Sequence, residues 1–451
     1  MRLSNLLAPD LVETLKTDPA QAAELAEELH AADVAELIDG LPDESAVVLL
    51  GALPESNAAA ALDEMDITRR SELFPRLERA RAARIADAMS ADERADLFQS
   101  LNEDVRADLL VRMPKDASLD VRELLRYPEN TAGGRMTTDY VALPPDLTVE
   151  RAIEEVRRLA EEKETINEVY TVDPNGTLLG AVSLRALVLA RAGQPLSAVM
   201  DADVVSVAAD LDQEDVARLF YHYDLLAVPV VDSARKLLGI VTVDDVVAVM
   251  KQEQGEDIQK LGAVQPTDAG YFQTDFWTFV RKRAGWLIAI FMGEILTASV
   301  LEHFEAARRA FVAIEVFVPL IISSGGNTGS QASSLVIRGL ALGEVSVGDA
   351  GRILWRELRM GLVLGFVLGA IGLFRALFVG HSGGHGMAAA VGLALIACVT
   401  FGSVVGALLP LAIKRLGFDP AVSSGPFIAS LVDVAGIVIY MRIAILVLGA
   451  P

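Results

Sequence analysis

At 451 residues, with 52% hydrophobic side chains and a formal net charge of -23, the chain has room for two or three domains and is apolar enough for part of it to lie in lipid. The charge is unevenly divided: residues 281–451 carry 13 Lys+Arg and 9 Asp+Glu, whereas residues 1–280 carry 26 and 53. An acidic portion of that size repels nucleic acid and attracts cations, which excludes DNA binding, and a single cysteine, Cys398, excludes a disulfide framework or a thiolate metal site.

The opening MRLSNLLAPDLVETL has one basic residue and no apolar core of secretory length, so the acidic portion is expected in the cytoplasm. From Leu25 the sequence repeats every twelve residues. Leu29, Leu41, Leu53, Met65, Leu77, Met89, Leu101 and Met113 form one apolar series; Leu25, Leu37, Leu49, Ala61, Leu73, Ile85, Leu97 and Leu109 form another, four residues earlier. That offset predicts one helical face, and the Leu-Pro, Pro-Glu and Met-Ser-Ala-Asp stretches read as breaks and caps. Residues 1–130 are therefore expected to be an all-α, solenoid-like domain whose short helices bury their stripes only by stacking. Such a surface binds a partner or another part of the chain, and it has no nucleophile and base at enzymatic spacing.

Residues 131–253 change to short strands alternating with helices, twice over. Met136, Asp146 and Ile153 recur 64 residues later as Met200, Asp210 and Ala217; residues 169–173 and 180–183 recur 59 later as 228–232 and 239–242. A tandem βαββα pair follows. The pieces RMTTDYVALPPDLTVERAI and VVDSARKLLGIVTVDDVVAVM resemble a pair of CBS modules. That resemblance implies an adenine-nucleotide site built on a Ser/Thr and an Asp three residues on, which Thr242 and Asp245 fit and Ser183 with Ala186 does not. ATP is thus one expected ligand, and a purely structural, dimerising role is the other reading.

The connector KQEQGEDIQKLGAVQP places Glu253, Glu256 and Asp257 within five residues, downstream of Asp244 and Asp245. Carboxylates at i, i+3 and i+4 share a helix face and repel one another unless something neutralises them; hard divalent cations take such oxygen ligands, and a solvated acidic helix is the alternative.

Five membrane spans are expected, near residues 285–301, 311–340, 360–379, 387–413 and 422–448. Basic residues cluster at Arg281, Lys282 and Arg283, at Arg338, Arg352, Arg356 and Arg359, and at Lys414 and Arg415, while the other side has Arg308, Arg309 and Arg375. This makes the N-terminal portion cytoplasmic and, with an odd span count, the C-terminus external. The second span holds Pro319 and then ISSGGNTGSQASS, too polar for lipid contact. Loosened backbone lining a watery cavity is expected there, with Asn327, Thr328 and Gln331 as neutral oxygen donors; close packing through small residues competes. The fifth span has SSGP ahead of Asp433, an acid at mid-membrane that implies an ion path or a bond between helices. One carboxylate per chain is too little for a divalent ion, and a twofold dimer would supply two while leaving water on the ion, as suits Mg2+. Glu294 and Glu315 have no adjacent polar motif and are expected to pack helices or sit at the interface.

Together PLIISSGGNTGSQASSLVIRGLALGEV, DPAVSSGPFIASLVDVAGIVIY and EDIQKLGAV resemble the MgtE family of magnesium transporters and channels over essentially the whole chain. The resemblance implies a multidomain protein: a helical-repeat N domain (1–130), tandem CBS modules (131–253), a connecting plug helix (254–280) and a five-helix transmembrane domain (281–451). It implies a non-enzymatic homodimer in the inner membrane, with a pore between subunits lined by the second and fifth spans. Asp433 would be the selectivity site and Asp419 would lie near the cytoplasmic mouth. It implies that Mg2+ is both cargo and regulator, bridging Asp245, Glu253, Glu256, Asp257, Asp92 and Asp96 to close the pore. Mn2+, Co2+ or Ca2+ would suit the same donors. An ion-coupled carrier and a sensor without transport are the alternatives; an intramembrane aspartyl protease would need a second aspartate beside Asp433.

Overall fold

A computed structural model of the chain describes residues 13–15, 17–160, 163–267, 270–272, 274–310, 313–379 and 384–449. It divides into two units, Met1–Lys251 and Gln252–Pro451.

In the first unit the twelve-residue period becomes a run of helices: α1 (Pro19–Glu27), α2 (Ala31–Gly40), α3 (Asp43–Ala52), α4 (Glu55–Asp63), α5 (Ile67–Leu73), α6 (Arg79–Ala88), α7 (Ala91–Ser100), α8 (Glu103–Arg112) and α9 (Lys115–Leu124). Their starts are set locally: Pro42, Pro54 and Pro114 take N-cap positions, and the Asp18, Asp66 and Glu78 carboxylates accept from first-turn backbone N–H groups. Each helix packs on the next but one, as in a stacked repeat. The Leu37, Leu49, Ala61, Leu73, Ile85, Leu97 and Leu109 series lies inside helices and is fully buried. The companion series does not share that helical face as its spacing suggested. Leu41, Leu53, Met89, Leu101 and Met113 are C-cap residues in extended backbone, so the helix has already ended and the turn itself swings them into the core. Leu25 is 55% exposed, so the buried period begins at Leu37.

Two three-stranded sheets follow. The first is built from β1 (Val141–Leu143), α10 (Val149–Leu159), β2 (Glu168–Val172), β3 (Leu178–Ser183) and α11 (Leu184–Leu189). The second comprises β4 (Val207–Ala208), α12 (Gln213–Tyr223), β5 (Ala227–Val231), β6 (Leu237–Thr242) and α13 (Val243–Leu261). Each pairs its first two strands parallel and its last two antiparallel, with Val169 opposite Val182 and Val228 opposite Val241. The copies exchange their lead-in segments: Thr137 bridges Ile240 of the second sheet, and Asp201 bridges Ala181 of the first. That exchange explains why glycine stands at both equivalent positions. A Cβ on Gly180 would lie 2.5 Å from the Asp201 carbonyl oxygen, and one on Gly239 would lie 2.7 Å from that of Thr137. Gly180→Ala and Gly239→Ala are each expected to cost about 1–3 kcal/mol in urea unfolding, the range for forced overpacking, while Gly193→Ala, with open space around it, is expected to cost none of this.

α13 runs through the boundary of the two units, and among the described residues no helix spans the 254–280 expected for a connecting helix. α13 continues from the second sheet and stops at Leu261, where Ala263 adopts a left-handed φ of 56° and Pro266 follows. After it come α14 (Phe276–His303), α15 (Glu305–Ala310), α16 (Ala313–Ala341), α17 (Ala350–Val379), α18 (Gly384–Arg415) and α19 (Gly425–Leu448). Among the described residues four helices are long and apolar enough to cross a membrane, Phe276–His303, Val347–Phe378, His385–Arg415 and Gly425–Leu448, where five were expected. The missing one is α16, whose 29 residues suffice in length but carry the polar ISSGGNTGSQASS run. That run is also not loosened: it is helical throughout, with Pro319 inside the helix. Its glycines serve packing, because a methyl on Gly402 would strike the Gly325 carbonyl and one on Gly406 the Gly329 carbonyl. Two pairs of glycines four residues apart thus bring the α16 and α18 backbones together.

Candidate functional site

The second unit brings the two polar features of its apolar helices together. Asp433, on α19 and half-buried, has its Oδ1 3.4 Å from where a Cβ on Gly326 of α16 would sit, one residue from Asn327. Ser330 and Ser333 of α16 donate to the Gly425 and Ser423 carbonyls, at 3.0 and 3.2 Å, tying α16 to the SSGP entrance of α19. Asn327 donates to Ser323 at 3.3 Å, and both are exposed together with Gln331 and Ser334. These four lie at i, i+4, i+8 and i+11, so they form one exposed polar row on α16. Thr328 points elsewhere: it is buried and its hydroxyl is spent on the Ser324 carbonyl at 2.8 Å.

Glu294 was expected to pack helices or sit at the interface; it is exposed on α14, next to Gly293, where a Cβ would meet the Ser430 side chain of α19. Glu315 is ion-paired with Arg308 at 2.6 Å. Asp419 caps the short turn before α19 through the Ala421 N–H at 2.8 Å, and its other oxygen takes Lys260 of α13 at 2.9 Å. Lys260 also holds Glu256 at 3.0 Å, and Glu253 and Asp257 are engaged as well. Burial alone would push this ammonium down, but Asp419 and Glu256 outweigh it and hold it above the usual lysine range. A resident cation thus neutralises two of the acids assigned to Mg2+. The i, i+4 spacing of Glu256 and Lys260 was visible in the sequence; the reach of Lys260 to Asp419, over 159 positions, was not.

The first unit gathers the other acids. Asp92, on α7, is buried; desolvation and then the neighbouring Glu93 push its carboxyl up to about 6. Asp245, at the start of α13, is raised by burial and then by Asp92, and it accepts the Thr242 hydroxyl at 2.8 Å. Glu164, which sequence reasoning missed, keeps an exposed side chain, yet partial desolvation of its carboxyl and then Asp92 and Asp244 push it up to about 7. Asp63 reaches about 7 through burial and Glu93. Asp96 departs from the group. Burial lifts it to about 7, yet Arg135 pairs with it at 3.1 Å. Among the described residues the buried Asp92 Oδ1 and Asp63 Oδ1 have no hydrogen-bond partner, which suits a site that accepts a hydrated cation. Among the described residues no three side chains stand at direct metal-ligand spacing. Glu357 of α17 was also missed: it is buried and accepts the Ser403 hydroxyl at 2.7 Å, while its sequence context, flanked by Arg356 and Arg359, looks like a solvated surface.

Residues 318–443 match the family described as MgtE, divalent cation transporter; residues 29–130 match the MgtE intracellular N domain, and 132–193 and 196–252 each match the CBS domain. The chain is 40% identical over 331 residues to the magnesium transporter MgtE of Thermus thermophilus, covering 73% of each, and 35% identical to that of Enterococcus faecalis over 72% of this chain and 71% of the relative. A crystal structure of the cytosolic domain of the Mg2+ channel MgtE in complex with ATP superposes with a TM-score of 0.52 at 38% identity, covering 54% of this chain and all of that one.

Proposed function

The chain belongs to the MgtE family of divalent cation transporters, and on that premise we propose that it conducts Mg2+ into the cell through a pore formed by two copies. The observation that carries this reading is the exposed polar row Ser323, Asn327, Gln331 and Ser334 beside Asp433. Lipid cannot solvate it, and it lies among helices of membrane length, so a second copy and water must. In this reading α16 is a fifth crossing, shielded from lipid, and the C-terminus is external. Two Asp433 carboxylates match one divalent charge, with Asn327 and Gln331 bonding to the ion's retained waters. Thr328, its hydroxyl spent within the helix, serves packing.

The acids of the cytoplasmic unit supply the regulation. When internal Mg2+ is high, it binds between Asp92 and Asp245 with Glu93, Glu164 and Asp244 around them, and this compact state is the closed one. When Mg2+ falls, repulsion parts them; the ion shifts the balance because it binds one state better. Glu253, Glu256 and Asp257 are assigned to the same response, with Asp419 at the cytoplasmic mouth and Asp96 contributing through Arg135. Adenine nucleotide at Thr242 and Asp245 is the second reading, favoured by the ATP complex of the similar cytosolic domain.

Planar-bilayer recording tests the transport claim. A current that reverses at the Mg2+ equilibrium potential is expected; a flux that requires a Na+ or H+ gradient would make the protein a coupled carrier. Lys260→Met leaves Glu256 and Asp419 without their shared counter-ion. It is expected to raise the internal Mg2+ needed for half-closure about fivefold, on the order of 1 kcal/mol for a partly exposed bridge.

A further inference from the structure

Within the second unit, residues of the end of α13, of the segment after it and of the first turns of α14 line an open cleft of about 770 Å³. Gln259, Thr267, Tyr271, Phe279, Arg283 and Leu287 line it. Residues 265–267, beside the cleft, are held in place. Gln259 receives the Thr267 N–H at 3.0 Å and donates back to its carbonyl at 3.2 Å, Gln265 N–H donates to the Lys282 carbonyl at 3.1 Å, and the Lys282 ammonium donates to the Pro266 carbonyl.

Around it, Tyr271, Phe272, Phe276 and Trp277 are each more than 60% exposed, a patch that water does not tolerate but a membrane interface does. Arg281 and Arg283 are exposed and, among the described residues, have no acidic partner; Asp275 is committed to the Trp277 and Thr278 N–H groups. Arg283 stands seven residues into α14, roughly 10 Å along the helix from Phe276, and Leu287 lies one turn further. Going inward, the wall therefore changes from aromatic to cationic to aliphatic, which is the order of an interface, a headgroup phosphate and an acyl chain.

We propose that this cleft at the base of α14 binds an anionic phospholipid of the cytoplasmic leaflet, with its phosphate on Arg283 and its chain along Leu287. The assignment rests on α14 crossing the membrane, not on which ion the protein carries. Basic groups at the cytoplasmic end of a span attract anionic headgroups, and the cleft gives that attraction a defined seat.

The test uses the purified full chain, delipidated in neutral detergent and titrated with phosphatidylglycerol or phosphatidylcholine bearing brominated chains, with tryptophan quenching as readout. Phosphatidylglycerol is expected to bind more tightly. The double substitution Arg281→Gln, Arg283→Gln is expected to weaken it roughly 25-fold, about fivefold per charge. Lys414→Gln with Arg415→Gln, remote in sequence, is expected to leave it unchanged; an equal loss there would mean diffuse surface charge and overturn the proposal. So would retention of the preference in the first double variant, or displacement of the lipid by inorganic phosphate at the same concentration. A Tyr271→Cys disulfide between copies in the bilayer would show that a second copy fills the cleft, and would also overturn it. None of these readouts measures Mg2+ flux, so failure here is separable from failure of the transport reading.

Discussion

Asp433→Ala is expected to reduce Mg2+ flux by at least about two orders of magnitude while leaving the protein as stable as before. In the proposed dimer the substitution removes both charges that face the ion, and losing the partner of a charge held away from bulk water costs roughly 3–5 kcal/mol. Asp433→Asn should do nearly the same, because an amide keeps the shape and one oxygen but not the charge. Stability is spared because Asp433 is only half-buried. Flux that survives the substitution, in protein with an unchanged melting temperature, would move the ion path elsewhere and leave Asp433 as a helix-packing residue.

The second large effect is on regulation. Asp92→Asn combined with Asp245→Asn is expected to leave the pore open at internal Mg2+ that closes the unaltered protein. The same substitutions carry a pH signature. In the folded chain Asp63, Asp92, Asp96 and Glu164 have carboxyls at about 6–7, above their unfolded values near 4. Between these limits the folded state binds more protons than the unfolded one, so stability without Mg2+ falls as pH rises from about 4 to 7 and then levels. Asp92 alone contributes on the order of 3 kcal/mol to that fall. Melting temperatures of the full chain in chelator are therefore expected to drop across this range. Mg2+ should restore them at pH 7.5, and the double variant should flatten the profile and melt higher in chelator. A chelated wild type whose stability rises from pH 5 to 7.5 would contradict the account of these acids.

How much of this the chain disclosed depends on the distance over which each signal acts. The helical repeat and the doubled strand–helix pattern are local periodicities, and they emerge with the register that residues 169–183 and 228–242 foretold. The connector was carried past its end although Gly262 and Pro266 mark a helix stop in the sequence; the left-handed turn at Ala263 that completes it is a backbone fact the sequence does not spell out. The polar run of α16 was legible as unfit for lipid, but its conformation was not. Glycines that would loosen an isolated helix instead press against α18 through Gly402 and Gly406, and that pairing is a tertiary fact. Asp433 stood out because an acid in an apolar stretch is conspicuous by itself. Glu164 and Lys260 did not, since each acquires meaning only from a residue far along the chain, Asp92 for one and Asp419 for the other.

The most direct test of Mg2+ conduction under feedback is influx into liposomes containing the purified full chain, with Mg2+ on the cytoplasmic side varied from micromolar to tens of millimolar. Influx that is fast at the low end and shuts off as cytoplasmic Mg2+ rises is the predicted result. Influx that is indifferent to that Mg2+, or absent from protein shown to be folded, would contradict it.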